Sequence, residues 1–399
     1  MSDTRLSQRV NNMEESATLK MTQMARDLAA EGHQVISLSI GEPDFDTPDH
    51  IKQAAIQALN DGHTKYTPVP GTMDLRKSIV KKFKEDNNLA FQPNQIVVSN
   101  GAKQSLANLA LALLDEGDEV ILFAPYWVSY KEIVKLGGGT PIEIKATIDQ
   151  DFKVNPTQLA NALTDKTKML IFSSPCNPTG SVYTAEELAA LVQVLKDYPR
   201  VVVVSDEIYE FINFTDRHMS IGTFDEVKDR TVTVNGFSKG FAMTGWRLGY
   251  MGAPAWIASA CTKIQGQVTS GANSFGQKAA AYALGASRES AEIMCKAFLS
   301  RRDIVIDLCK RIPGFKVNKP TGAFYVFPDV SSFFGKSANG SVIKDANDFA
   351  QYILHEAHVS LVSGSAFGAD ECVRISYAAS EDQLREALER IRKAAGKIQ

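Results

Sequence analysis

Several side chains able to do chemistry stand directly after short apolar runs in this chain. Lys239 lies in NGFSKGFAMTGWR, flanked by glycines and apolar residues, with Arg247 eight positions on. A lysine partly withdrawn from water has its pKa lowered and becomes a usable nucleophile. Asp206 follows VVVVS, and an acid at the end of four valines is costly unless something cationic meets it. Asn177 sits on a proline-bounded turn, SPCNPTG, that holds a side-chain amide in one place. Trp127, after EVILFAPY, offers an aromatic plate, and Gly101-Ala102-Lys103, after QIVVSN, opens a helix. Backbone amides at such an opening bind anions, and glycine permits close approach. Taken singly, each has a plainer use: a solvated lysine, a helix cap or core ion pair, a hydrophobic plug, an ordinary turn.

The elements that must position these residues change that judgement. Strands are expected at 95–99, 119–123, 141–144, 169–173, 201–205, 231–235 and 248–251, with helices at 103–114, 129–136 and 184–198 between most of them. Near-continuous apolar runs such as MLIF and VVVV suit strands buried on both faces, hence a mainly parallel sheet covered by helices and an α/β fold. In such sheets ligands bind beyond the carboxyl ends of the strands. Lysine, carboxylate, amide, aromatic plate and anion-binding turn therefore all emerge at one edge. That set is what pyridoxal phosphate needs: a lysine for a Schiff base, a carboxylate for the pyridinium nitrogen, and a phosphate cradle.

Around this unit, residues 47–60 read as a helix capped by Thr47. A long helical stretch covers 276–311. Short strands are expected near 315–318, 323–327 and 372–377, with helices near 346–357 and 380–394. The first 40 residues have no evident sheet partner and are expected to pack on this second, α+β unit. The expected division is a large domain over 47–300 and a small one made of 1–46 with 301–399. His355 and His358 read as a helix-surface pair rather than a metal site.

The 399 residues carry 43 Lys plus Arg against 46 Asp plus Glu, a net charge of −3 that gives no electrostatic footprint for nucleic acid or an anionic membrane. The first 16 residues show no apolar core of the secretory kind, and no run reaches the roughly 18 apolar residues that span a bilayer. Five cysteines without a CxxC pair suit free thiols in a reducing cytoplasm.

SPCNPTG, SDEIYE and NGFSKGFAMTGWRLGY resemble the class I aminotransferases of fold type I. ISLSIGEPDFDTP, KYTPVPGTMDLR, APYWVSY, PTGAFYVF and VRISYA also match that family, in its order, and the nearest group is the bacterial aspartate aminotransferase subgroup Ib. The resemblance implies a mainly parallel seven-stranded sheet with helices on both faces plus a smaller α+β domain. It implies that Lys239 carries pyridoxal 5′-phosphate, that Asp206 partners the pyridine nitrogen, and that Tyr209 and Asn177 bond the ring's 3-oxygen. Trp127 would stack on the ring. Gly101, Ala102 and Lys103 would hold the phosphate end with Arg247 as counter-ion, and Tyr66 would reach the phosphate of a partner subunit, making a homodimer. Arg374 would clamp the substrate α-carboxylate, Gly41 would touch substrate through its backbone, and Lys103 would meet a distal carboxylate.

The implied reaction is transamination of L-aspartate with 2-oxoglutarate. The alternatives on this scaffold are aromatic, alanine-type or broad-range transamination, prephenate included. Two positions depart from the family pattern. Gly236 stands three before the lysine, where a phosphate-binding serine is often found, and adjacent Ser238 would point elsewhere in an extended segment. Glu14 follows Met13 where prephenate-using relatives carry lysine, and its charge would repel a dicarboxylate. A transcription regulator built on this fold would need an N-terminal DNA-binding domain, yet the family's motifs begin by residue 36.

Overall fold

The computed structural model describes residues 5–338 and 340–399, so the first four residues of the N-terminal stretch lie outside the described residues. Seven strands form the central sheet: β1 Ile96–Ser99, β2 Glu119–Ala124, β3 Thr140–Lys145, β4 Thr167–Ser173, β5 Val202–Asp206, β6 Thr231–Gly236 and β7 Gly249–Gly252. Their order is β1-β7-β6-β5-β4-β2-β3, with β7 antiparallel to both neighbours and every other pairing parallel. β5 and β6 are buried throughout, as their apolar runs require, because helices cover both faces. The helix Ala102–Leu113 begins where the sequence placed it, after Gly101 at φ +85°. That left-handed value suits a residue without Cβ.

A second core gathers around Phe324, Tyr325 and Phe349. It draws Met21, Ala25 and Leu38 from the N-terminal part and residues from Met294 to Ile398 from the C-terminal part. The helices Ala346–Ala357 and Glu381–Ala395 cover a three-stranded antiparallel sheet of Tyr325–Val326, Val373–Ser376 and Val362–Ser363. The helix Glu289–Lys310 runs unbroken through residue 300, so the expected boundary falls inside it.

Several local expectations are corrected. The N-terminal segment does have a sheet partner: Ile36–Ser37 pairs in parallel with Val359–Ser360. The helical stretch at 276–311 is two helices, Ser274–Gly285 and Glu289–Lys310, and the Glu289 amide at the second start donates to Ser287 Oγ at 3.2 Å. No strand forms at 315–318 among the described residues; Lys316 makes one isolated bridge with Asp329. The helix expected from 47 spans Asp49–Asn60, and Thr47 does not cap it. Its hydroxyl donates to the Ala242 carbonyl at 2.6 Å and accepts from Trp246 Nε1 at 3.0 Å, tying this chain entry to the segment after Lys239. His355 and His358 are not a surface pair. His358 ends the helix at φ +51° and stacks on His33 with ring centroids 4.4 Å apart.

Candidate active site

A cavity of about 470 Å³ opens at the carboxyl ends of the parallel strands, between the two cores. Ala102, Lys103, Trp127, Asn177, Asp206 and Tyr209 line it from the sheet side, with Lys239 and Arg247. Gly41 and Arg374 close it from the small-core side, so these side chains, distant in sequence, converge as expected. Tyr66 does not join them: it is 98% exposed and lies outside this cavity.

Lys239 lies in the turn after β6 with its Nζ donating to the Gly41 carbonyl. Its Nζ also sits 5.7 Å from the ring centre of Tyr209 and 5.9 Å from that of Phe324. Burial pulls its pKa down to about 8; Glu42 and Asp206 oppose this, while Arg374 and Arg247 add to it. A lysine in that range is still mostly protonated at neutral pH, but far more of it is free amine than in a solvated lysine. Gly41 has no room for a side chain, since a Cβ there would meet Tyr325 Oη at 2.7 Å.

Asp206, the last residue of β5, is 4% exposed. Its Oδ2 accepts from Tyr130 Oη at 2.6 Å and its Oδ1 from the Ile208 amide at 3.2 Å. Burial raises its pKa to about 6, and those two hydrogen bonds limit the rise. Tyr209 Oη and Tyr325 Oη are hydrogen-bonded at 2.7 Å, and burial pushes the Tyr209 phenol well above its ordinary range.

Arg374 is 2% exposed. Its Nη1 donates to Asn177 Oδ1 at 3.0 Å and its Nη2 to the Ser39 carbonyl at 2.6 Å, while Nε has no partner. The guanidinium lies 4.6 Å from the Tyr325 ring centre and 5.0 Å from that of Phe367. No carboxylate pairs with it among the described residues. A buried, unpaired guanidinium facing a cavity is built to receive an anion, and its planar fork suits a carboxylate.

At the opposite end, Gly101 makes room for Arg247, because a Cβ there would lie 2.5 Å from Arg247 Nη2. Arg247 adopts φ +55° and donates from Nη1 to the Thr244 carbonyl at 2.9 Å, which turns its charge toward the start of the helix Ala102–Leu113. Lys103 Nζ stands 4.9 Å from the Trp127 ring centre. Burial lowers the Lys103 pKa, and Arg247 lowers it further. Two cations crowding a helix N-terminus is an arrangement that only an anion relieves.

The turn at 238–241 corrects one expectation: the segment is not extended, and Ser238 lines the cavity. A side chain at Gly236 would be crowded, since a Cβ there would lie 3.0 Å from Gly249 Cα and 3.1 Å from the Leu248 carbonyl oxygen. Glu14 lies outside the cavity lining, with its amide donating to Glu132 Oε2 at 3.0 Å. Sequence reasoning assigned no role to Tyr130 and Tyr325, although both stand in the family-like motifs APYWVSY and PTGAFYVF. Tyr130 is the second residue of the helix Ser129–Leu136, and its ring packs edge-on against Trp127 with centroids 5.6 Å apart. The helix Ala17–Ala30 was also missed as cavity wall, yet Thr18, Thr22 and Arg26 reach it.

The residues fit pyridoxal phosphate. A buried carboxylate with no cation hydrogen-bonded to it among the described residues, a buried lysine of lowered pKa and a cation-rich helix start are each incomplete alone, and that cofactor answers all three. The sequence profile of the aminotransferase class I and II family matches residues 33–391. The chain is 48% identical to a bifunctional aspartate aminotransferase and glutamate/aspartate-prephenate aminotransferase of Petunia hybrida, over 98% of this chain and 83% of that protein. It superposes on the crystal structure of the aspartate aminotransferase from Rhizobium meliloti with a TM-score of 0.96 and 40% identity, covering 100% of both chains. It superposes on Thermus thermophilus aspartate aminotransferase with maleate at a TM-score of 0.92 and 40% identity, covering 98% of this chain and 99% of that one. Among the described residues no helix is long and apolar enough to cross a membrane.

Proposed function

Because the chain belongs to the aminotransferase class I and II family, we propose that it transaminates L-aspartate with 2-oxoglutarate, giving oxaloacetate and L-glutamate through pyridoxal 5′-phosphate. The observation that carries this reading is the placement, across one cavity, of the Arg374 guanidinium, which meets no carboxylate among the described residues, opposite Lys239, whose pKa burial lowers. When bound, the cofactor supplies an electron sink for the charge left at Cα of an amino acid.

The chain's own residues divide the rest of the work. Lys239 would hold the cofactor, and its Nζ would take up the Cα proton of the substrate and later return one. Asp206, fixed by Tyr130, would keep a proton on the pyridine nitrogen. Asn177 and Tyr209 would bond the ring oxygen, and Trp127 would stack on the ring. Gly101, Ala102, Lys103 and Arg247 would receive the phosphate end. Arg374 grips the α-carboxylate, which fixes Cα beside Lys239. The Gly41 backbone and the helix Ala17–Ala30 cover the substrate from the small-core side. Lys103 meets the distal carboxylate of aspartate, a role supported by the similarity to the Thermus enzyme with maleate, itself a dicarboxylate.

Tyr66, fully exposed on its own chain, completes the phosphate site of a second copy, so the working unit is a homodimer. The free thiols and near-neutral surface suit a cytoplasmic enzyme. A panel of amino donors assayed against 2-oxoglutarate tests the reading, with prephenate added as acceptor because the Petunia relative's name includes it. Aspartate is expected to give the highest kcat/KM. A preference for an aromatic or alanine-type donor would refute the distal-carboxylate role.

A further inference from the structure

Behind the segment 206–210, on the side away from the cavity, lies a buried charged cluster that the mechanism does not use. Asp206 and Tyr209 face the cavity, whereas Glu207 and Glu210 turn the other way and are 0% and 7% exposed. Glu207 Oε2 meets His218 Nε2 at 2.8 Å, Ser220 Oγ at 2.6 Å and Asn87 Nδ2 at 3.1 Å, and its Oε1 accepts from Ser205 Oγ at 3.0 Å. Glu210 Oε2 accepts from Asn87 Nδ2 at 2.8 Å, and its Oε1 is ion-paired with Lys82. Lys82 and Asn87 come from the last turns of the helix Met73–Asn87.

The charges do not balance without His218. Two carboxylates face one ammonium, and Asp86 at the rim is paired with Arg288 at 3.0 Å. His218 Nδ1 is buried without a partner in either protonation state, so net charge decides between them. Glu207, Glu210 and His218 present ligand atoms within 4.8 Å of one another, but the Lys82 ammonium already pairs with Glu210 and donates to Asn87 Oδ1, whose amide nitrogen bonds both carboxylates. Leaving an uncompensated charge in such a site is strongly unfavourable.

We propose that Lys82, Glu207, Glu210 and a protonated His218 form a charge-balanced clamp that positions Asp206 and Tyr209 and sets the electrostatic field they work in. The proposal rests on the reading of Asp206 and Tyr209 as cofactor-binding groups. Over 206–210 the chain turns Asp206, Ile208 and Tyr209 to the cavity and Glu207 and Glu210 to the cluster, so any slackness behind is transmitted to the front. Burial pushes the His218 pKa down, yet the charge and hydrogen bond of Glu207, with the charge of Glu210, more than offset it and the net direction is upward. Glu210 is held below its ordinary range despite burial, chiefly by Lys82. These are positioning residues: they touch neither substrate nor cofactor.

The test has two parts. In cofactor-free protein labelled with 15N-histidine, a resonance missing from His218→Gln should titrate with a midpoint above the ordinary histidine value. In the loaded enzyme, the pH midpoint of cofactor absorbance is compared in wild type, His218→Gln, Glu210→Gln and Asp206→Asn. Removing the positive charge should raise the midpoint and removing the negative charge should lower it. A merely structural role would lower thermal stability without this opposition of sign. A His218 that is neutral at pH 7, or variants that move the midpoint in one direction or not at all, would overturn the clamp. Should Glu210→Gln fail to fold, the histidine titration and His218→Gln decide alone. If Asp206→Asn leaves the midpoint in place, the reading of Asp206 falls and the clamp with it. If Asp206→Asn moves it and His218→Gln does not, only the clamp falls.

Discussion

Replacing Asp206 by Asn should stabilise the cofactor-free protein, and should do so in a pH-dependent way. Burial holds this carboxyl at about 6, against an ordinary value of 3.8. A carboxyl whose pKa rises on folding binds more protons in the folded state than in the unfolded one. Its full contribution to stability is present below about pH 4 and is lost as pH rises through about 6. A difference of about two pH units at 1.36 kcal/mol each makes the ionised carboxylate cost about 3 kcal/mol at pH 7.5 and about 1 kcal/mol at pH 4.5. Asn keeps an acceptor for the Ile208 amide and a donor for the Tyr130 hydroxyl, and carries no charge. Denaturant melts of wild type and Asp206→Asn, both stripped of cofactor, should therefore differ by about these amounts in favour of the variant. Adding pyridoxal phosphate should reverse the order, because only the carboxylate can pair with a protonated ring nitrogen. A cofactor-free Asp206→Asn that is less stable than wild type at pH 7.5, or a gap that ignores pH, would refute the reasoning.

Three further outcomes follow from the same geometry. Arg374→Ala should lower kcat/KM by at least about a hundredfold for every amino donor, since it removes a charged bidentate contact shared by all of them; a loss confined to acidic donors would move the α-carboxylate elsewhere. Lys103→Ala should cost aspartate about ten- to a hundredfold in kcat/KM while largely sparing an aromatic donor, and equal losses would remove Lys103 from the substrate site. Tyr66→Phe and Lys239→Ala chains, each impaired alone, should regain activity when mixed and refolded together, because one of the two sites in a mixed dimer is then intact; an inactive mixture with a monomeric sedimentation profile would contradict the shared site.

Much of the sheet was legible because doubly buried strands leave a plain signature. VVVV and MLIF became β5 and the core of β4, and the residues just beyond the strands became the cavity wall. What escaped the sequence lacked a local signal. Ile36–Ser37 is a two-residue strand whose only partner lies more than 300 positions away. The apolar periodicity of 276–311 runs on through the break at 286–288, where no proline marks it. Thr47 has the side chain of a good cap, but hydrogen bonds to Ala242 and Trp246 draw its hydroxyl elsewhere. The placement of Tyr130 and of the cluster behind Asp206 is tertiary: Lys82 and Asn87 share one helix, but they reach Glu207, Glu210 and His218 only once the sheet is built.

The central claim is that this chain works through pyridoxal phosphate carried on Lys239, and borohydride reduction of the loaded enzyme tests it most directly. Peptide mapping after reduction should find the cofactor mass on Lys239 alone, with none retained covalently by Lys239→Ala. The label on any other lysine, or full labelling of the Lys239→Ala protein, would contradict the account.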